Sequence, residues 1–146
     1  MSFADFISNH GKRVKKEHYI HLVQVARIDG KVEKTELDLL RKEGRKFGLT
    51  DPEIDAIISR RTSSHYTPPY SLHEKFEELY NIAVIVLADE IVTGAERKMI
   101  RRYAITAGFD DEMIDLLIDH LFEGIRKGED EDELFSSFKK KLKSRS

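Results

Sequence analysis

RIDGKVEKTE occupies residues 27–36 and LADEIVTGAE occupies residues 87–96. Each holds an Asp, a Val three positions on and a Glu four beyond that, so Asp29, Val32 and Glu36 are answered by Asp89, Val92 and Glu96. The register extends outward from these turns. Between Asp29–Ile58 and Asp89–Ile118 the chain matches itself identically at nine positions, with no gap. Beyond the turns the identities are Arg41/Arg101, Gly48/Gly108, Asp51/Asp111, Ile54/Ile114, Asp55/Asp115 and Ile58/Ile118. Leu39/Met99, Leu40/Ile100 and Leu49/Phe109 are apolar in both copies. A constant offset of this kind marks an internal structural repeat.

Inside each copy the periodicity is helical. Leu22, Val23, Val25 and Ala26 lead to Asp-Gly, with Gly30 placed to end the helix. Leu37, Leu40, Gly44 and Phe47 then share one face of a second helix, which Gly48 ends. A third opens at TDPE, with Thr50 as N-cap, Pro52 in the first turn and Glu53 closing a capping box. The second copy repeats the order, and its first helix, Leu79 to Ala88, is apolar almost all round, as a buried central helix is. RRTSSHYTPPY between the copies reads as a surface linker over 61–70, because adjacent prolines cannot sit inside a helix. SLHE restarts the helix with another capping box, Ser71 to Glu74. A final helix over 131–143 carries acids first and bases last, in line with its dipole. Nothing alternates as a half-buried strand does. The expectation is one all-α domain over 1–146, seven to eight helices in two three-helix units related by a pseudo-twofold axis, with repeats at about 18–60 and 78–127. Its expected core includes Leu22, Val25, Leu40, Phe47, Ile54, Ile82, Ile85, Val86, Ile100, Ala104 and Ile118.

Composition narrows the function. The 146 residues are 40% hydrophobic and 36% charged, with 25 Lys plus Arg against 27 Asp plus Glu. That balance selects neither nucleic acid nor a membrane surface. The absence of cysteine excludes disulfides, thiolate metal sites and a Cys nucleophile. The first residues place their charge after a short apolar patch, the reverse of a secretory signal, and no apolar run can span a bilayer, so a cytoplasmic protein is expected.

The acidic turns admit two readings. Thr93 to Glu96 forms a capping box, Glu33 to Glu36 a poorer one, and Val32 and Val92 would staple the turns. Capping leaves the aspartates unexplained, since Asp29 and Asp89 stand at helix ends where the dipole disfavours a carboxylate. A cation would stabilise them. Asp-Gly-x-Val-x-x-x-Glu follows the second half of an EF-hand loop, from the fifth ligand position to the final Glu. A full EF-hand is excluded, because Val25 and Arg27, and then Ile85 and Leu87, hold the places of the first and third ligands. Two half-sets joined by pseudo-twofold packing would make one oxygen cage of Asp29, Glu36, Asp89 and Glu96, preferring Ca²⁺ to Mg²⁺.

Two such helix-turn-helix units, each followed by a Gly-terminated helix, resemble the TerB-like family of tellurite-resistance proteins, a module also found at the N-terminus of some membrane-anchored J-domain co-chaperones. The likeness covers residues 14–127. It implies an all-helical fold with two similar halves and a divalent-cation-binding acidic surface, in a family linked to bacterial metal-stress responses and protein assemblies. Ile28 stands where Ala is usual before the first Asp, and Glu90 replaces the Gly after the second. The functional expectation is a non-enzymatic cation-binding or protein-interaction module. The alternatives are a pure protein–protein adaptor whose acidic turns are only caps, or a binder of anionic lipid or nucleic acid through the basic tail at 139–146.

Other constellations carry less. Glu17, His18 and His21 have a spacing that could hold zinc, but no third strong ligand is near in sequence, and surface histidines are the expectation. No glycine-rich phosphate loop or Ser-His-Asp order is present, which argues against catalysis.

Overall fold

LHEKFEELYNIAVIV can bury itself only by being surrounded, since apolar residues fall on every side of it. In the computed structural model, which describes residues 12–28, 32–59, 66–89 and 91–145, this segment is the central helix of an all-helical fold. The chain order is α1 (Lys12–Ala26), α2 (Lys34–Lys46), α3 (Asp51–Ser59), α4 (Leu72–Val86) and α5 (Gly94–Thr106), then a 3₁₀ turn (Asp111–Met113), α6 (Ile114–Arg126) and α7 (Glu131–Arg145). Among the described residues there is no strand. Helix α4 packs against α1, α2, α5, α6 and α7. Nine of its residues are buried, from Phe76 to Val86, and Glu78 is the one charged member of that set.

The repeat is visible in the boundaries. α1 and α4 begin and end at positions shifted by sixty, and so do α2 and α5. Both second helices end alike: Gly48 at φ 87° and Gly108 at φ 102° are left-handed, a conformation side chains resist. The next amides reach back to complete the turn, Leu49 N–H to the Gly44 carbonyl and Phe109 N–H to the Ala104 carbonyl, each at 3.1 Å. The third helices differ. α3 starts on the expected Thr50–Glu53 box, with Thr50 N–H donating to Glu53 Oε1 at 3.0 Å and Glu53 N–H to Thr50 Oγ1 at 3.3 Å. In the second copy Asp110 caps a 3₁₀ turn instead, accepting from Glu112 N–H, before α6 begins.

All eleven expected core residues are buried, and they join one cluster with Tyr19, Phe76, Tyr103, Leu134 and Phe138. α7 docks through Leu134 and Phe138, whose ring stacks on Phe76 at 5.7 Å. Residues 61–65 of the expected linker lie outside the described residues, and within 66–70 one residue departs from expectation. Tyr66 is buried, with its ring 5.4 Å from that of His21 and 5.6 Å from that of Tyr103. An aromatic ring gains more from that contact than a polar linker position loses.

Two glycines test how tightly the helices meet. A Cβ on Gly124 would overlap Leu134 Cδ2, whereas one on Gly94 would meet nothing within 4 Å. Gly124→Ala should therefore cost about 1–3 kcal/mol by forcing α6 from α7, while Gly94→Ala should be neutral or slightly stabilising. Urea unfolding of the two variants measures the contrast.

Candidate functional site

The second acidic turn closes around a lysine. Lys46, at the end of α2, places its Nζ 2.6 Å from Glu96 Oε2, 3.0 Å from the Val86 carbonyl and 3.2 Å from Asp89 Oδ2. Glu43 Oε1 lies 3.8 Å away. Val86 is the last residue of α4, so its carbonyl is one of the orphan acceptors at a negative helix end. Lys46 supplies both the hydrogen bond and the opposite charge there. Asp89, at the helix end where a carboxylate is disfavoured, is stabilised by the same ammonium. Two of the four oxygen ligands expected for a hard cation, Asp89 and Glu96, thus surround a cation belonging to the chain.

Glu96 is fully buried and holds three roles. Its Oε1 accepts from Thr93 N–H at 3.1 Å and from the Thr93 hydroxyl at 3.3 Å, while Glu96 N–H donates to Thr93 Oγ1 at 3.1 Å. That is the expected capping box, completed. Its other oxygen holds Lys46, and Lys42 Nζ adds a contact at 3.5 Å. Glu33 makes no side-chain cap bond, as its poorer sequence suggests.

Glu36 takes another cation: its Oε2 is 3.7 Å from Arg102. Lys42–Glu96 and Arg102–Glu36 are the same pair of repeat positions with the copies exchanged. The exchange is incomplete, because Lys46 corresponds to Thr106, whose hydroxyl donates to the Arg102 carbonyl at 2.9 Å. Asp29, with Gly30, Lys31 and Glu90, lies outside the described residues. Of the four expected ligands, Asp89 and Glu96 therefore meet at Lys46, and Glu36 meets Arg102.

A third carboxyl enters the Lys46 cluster. Glu43 is fully buried, and neither of its oxygens has a hydrogen-bond partner among the described residues. Burial first, and then the adjacent Glu96 carboxylate, push it up to about 8 despite Lys46. Glu96 goes the other way. Burial opposes its charge, but Glu43 beside it and hydrogen bonds from Lys46 and Thr93 hold it at about 2. The two neighbouring acids are thus pushed in opposite directions, Glu43 towards its neutral form and Glu96 towards its ionised one. Burial also works against the charge on Lys46, yet the bond to Glu96 and attraction from Glu43 and Glu96 keep its pKa above the ordinary lysine value.

A second buried polar network crosses the interior. His21 Nδ1 and Glu78 Oε1 are 2.5 Å apart, and the Tyr103 hydroxyl donates to the same oxygen at 2.9 Å. Tyr66 OH adds a 3.4 Å bond to Tyr103 OH. Burial would raise the Glu78 pKa, but the bonds from His21 and Tyr103 hold it below the usual carboxylate value. His18, expected at the surface, is buried, and burial lowers its pKa while Glu78 opposes that effect. His21 thus serves a carboxylate of the central helix, whereas His18 Nδ1 is buried with no hydrogen-bond partner among the described residues. Among the described residues, the group whose ligand atoms all lie within 4.8 Å of one another is His73, Glu131 and Asp132, and it contains none of the expected ligands.

Neither Glu43 nor Lys46 was singled out in the sequence. Glu43 had a usable signal: it falls between Leu40 and Phe47 on the buried face of α2, where an acid needs a partner. Lys46 had none, since nothing local links it to a turn forty residues away. Comparison with protein-family models, with curated proteins and with solved structures finds no match. What fold and site define is an all-helical repeat protein with two buried polar clusters at its helix junctions.

Two outcomes test the cluster. Lys46→Met strands ionised Glu96 and should cost about 3–5 kcal/mol, most of it recovered in Lys46→Met/Glu96→Gln. Urea unfolding of the single and double variants completes that cycle. The pH test uses Glu43, whose folded pKa lies above its unfolded value. Its contribution is present below about 4.5 and is lost as pH rises towards 8. Glu43→Gln should flatten that fall by a few kcal/mol at most, on the order of the shift converted at about 1.4 kcal/mol per unit. Glu96 acts oppositely: its contribution is lost as pH falls from about 4.5 towards 2 in both proteins.

Proposed function

We propose that the protein is a non-enzymatic interaction module whose second acidic turn is an internally neutralised strut, not a vacant cation cage. The observation that carries this reading is the position of Lys46 Nζ between Glu96, Asp89 and the Val86 carbonyl. A divalent ion would have to displace an ammonium already well matched in charge. With Glu36, Asp89 and Glu96 engaged, apolar side chains beside the turns face solvent instead. Ile28 is 56% exposed beside the first turn and Ile91 is 76% exposed within the second. Large exposed aliphatics at corresponding junctions of a repeat are suited to contact with another protein. The exchanged pairs Lys42–Glu96 and Arg102–Glu36 support a pseudo-twofold relation between the two units.

The basic tail is a weaker candidate for nucleic acid or anionic lipid. Lys139 lies over the Phe135 ring at 5.1 Å and Lys141 Nζ is 3.0 Å from His120 Nδ1, so part of its charge is already engaged. No described helix is long and apolar enough to cross a membrane.

The TerB-like resemblance supplies a setting, a bacterial metal- or stress-response assembly, and a second reading in which a divalent cation binds at the turns. Asp89 favours that reading in one respect, being 57% exposed and open to an incoming ion. The melting curve separates the two. Millimolar Ca²⁺, Mg²⁺ and Mn²⁺ should leave the wild-type curve unmoved. A calcium-dependent rise that Asp89→Asn abolishes would install the cation reading instead. For the interaction itself, a photo-crosslinker at residue 91 should capture one partner from native extract. Ile28→Ser/Ile91→Ser should lose that partner with its melting curve unchanged.

A further inference from the structure

The two repeats meet over a cavity unrelated to Lys46. It has a volume of about 310 Å³ and lies between the C-terminal half of α1 and the N-terminal halves of α2 and α5. Leu22 and Val25 of α1 form an apolar floor with Leu39 of α2 and Met99 of α5. Leu39 and Met99 are the same repeat position, so this is where the copies face each other. The rim is not symmetric. Its α2 side carries Glu33 and Glu36, and its α5 side carries Lys98 and Arg102.

The rim is therefore neutral in total and divided in charge, with acids on one wall and bases on the other. Such a rim discriminates against an ion of either sign and matches a ligand carrying both. Glu36 and Arg102 are 3.7 Å apart, beyond a hydrogen bond, and Glu33 makes no cap bond. Among the described residues Lys98 forms no ion pair with the walls or elsewhere. The volume falls at the small end of ligand pockets, where an apolar lining supplies affinity and a few convergent polar groups supply orientation.

We propose that this cavity binds an aliphatic zwitterion, an apolar amino acid or the two termini of a short apolar peptide. Its ammonium meets Glu33 and Glu36, its carboxylate meets Lys98 and Arg102, and its aliphatic body lies on Leu22, Val25, Leu39 and Met99. Glu36 and Arg102 then exchange a long mutual contact for short charge-assisted bonds to the ligand. This site is distinct from the Lys46 cluster, since neither Lys46 nor Asp89 takes part, and it shares only Glu36 with the expected cation ligands.

The test titrates the full-length protein with leucine and with the dipeptide Leu-Leu, following amide shifts of Leu22, Leu39 and Met99 by NMR. Controls are acetyl-Leu-Leu, which lacks the ammonium, Leu-Leu-amide, which lacks the carboxylate, and decanoate, an anion alone. At least one zwitterion should saturate at millimolar concentration, with each capped form weaker by about tenfold or more. Whether leucine or Leu-Leu binds tighter identifies the source of the zwitterion. Glu36→Gln should weaken the zwitterion while sparing acetyl-Leu-Leu, and Met99→Trp should abolish binding of all ligands. Lys98→Ala, at an exposed position, repeats the carboxylate test if Arg102→Met disturbs folding. The proposal is overturned if no zwitterion shifts these amides, if the capped forms bind equally well, or if decanoate binds more tightly than both zwitterions.

Discussion

A single ammonium organises the junction between the repeats. Lys46 leaves α2, crosses to the end of α4 and meets the acid that starts α5, so three helices share one charge. Its value is less in net stabilisation than in what removal would leave behind. A buried ion pair barely repays its desolvation, but a buried carboxylate without a partner is severely penalised. Glu96 is such a group, fully enclosed and committed to its helix cap. Once Glu96 is fixed as an N-cap partner, Lys46 must reach it, and Glu43 beside them is pushed towards its neutral form.

The same logic governs the interior of α4. Glu78 is the one acid among that helix's buried residues, and it is held by His21 from α1 and Tyr103 from α5. Tyr66, carried in from the segment between the copies, extends the chain of hydroxyls. Corresponding sites in the two copies have diverged in company. Position 18 is His where position 78 is Glu, and position 43 is Glu where position 103 is Tyr. Glu78 of the second copy meets His21 of the first, and Glu96 of the second meets Lys46 of the first. The halves have become complementary and no longer equivalent, and neither would satisfy its polar groups alone.

This divergence bears on function. An acidic turn read singly invites a metal, because its carboxylates lack visible counter-charges. In the folded chain the second turn's counter-charge comes from the opposite repeat, and Glu36 draws Arg102 in the same manner. Beside the turns Ile28 and Ile91 face solvent, as does the divided rim of the inter-repeat cavity. Both are surfaces for recognition.

Much was legible in the residues themselves. The sixty-residue offset, the glycine stops at 48 and 108, the Thr50 and Thr93 boxes and the apolar positions of the core are local signals, set by backbone preference and periodicity within one or two turns of helix. Such interactions are written where they act, so reading along the chain recovers them. Tertiary structure alone decided the partners: Lys46 for Glu96, Arg102 for Glu36, His21 and Tyr103 for Glu78, and the burial of His18 and Tyr66. These contacts join residues 25 to 66 positions apart. No periodicity links such residues, because their meeting depends on how whole helices cross. The sequence specified which groups would need a counter-charge, and the packing of the two repeats chose which side chain would provide it.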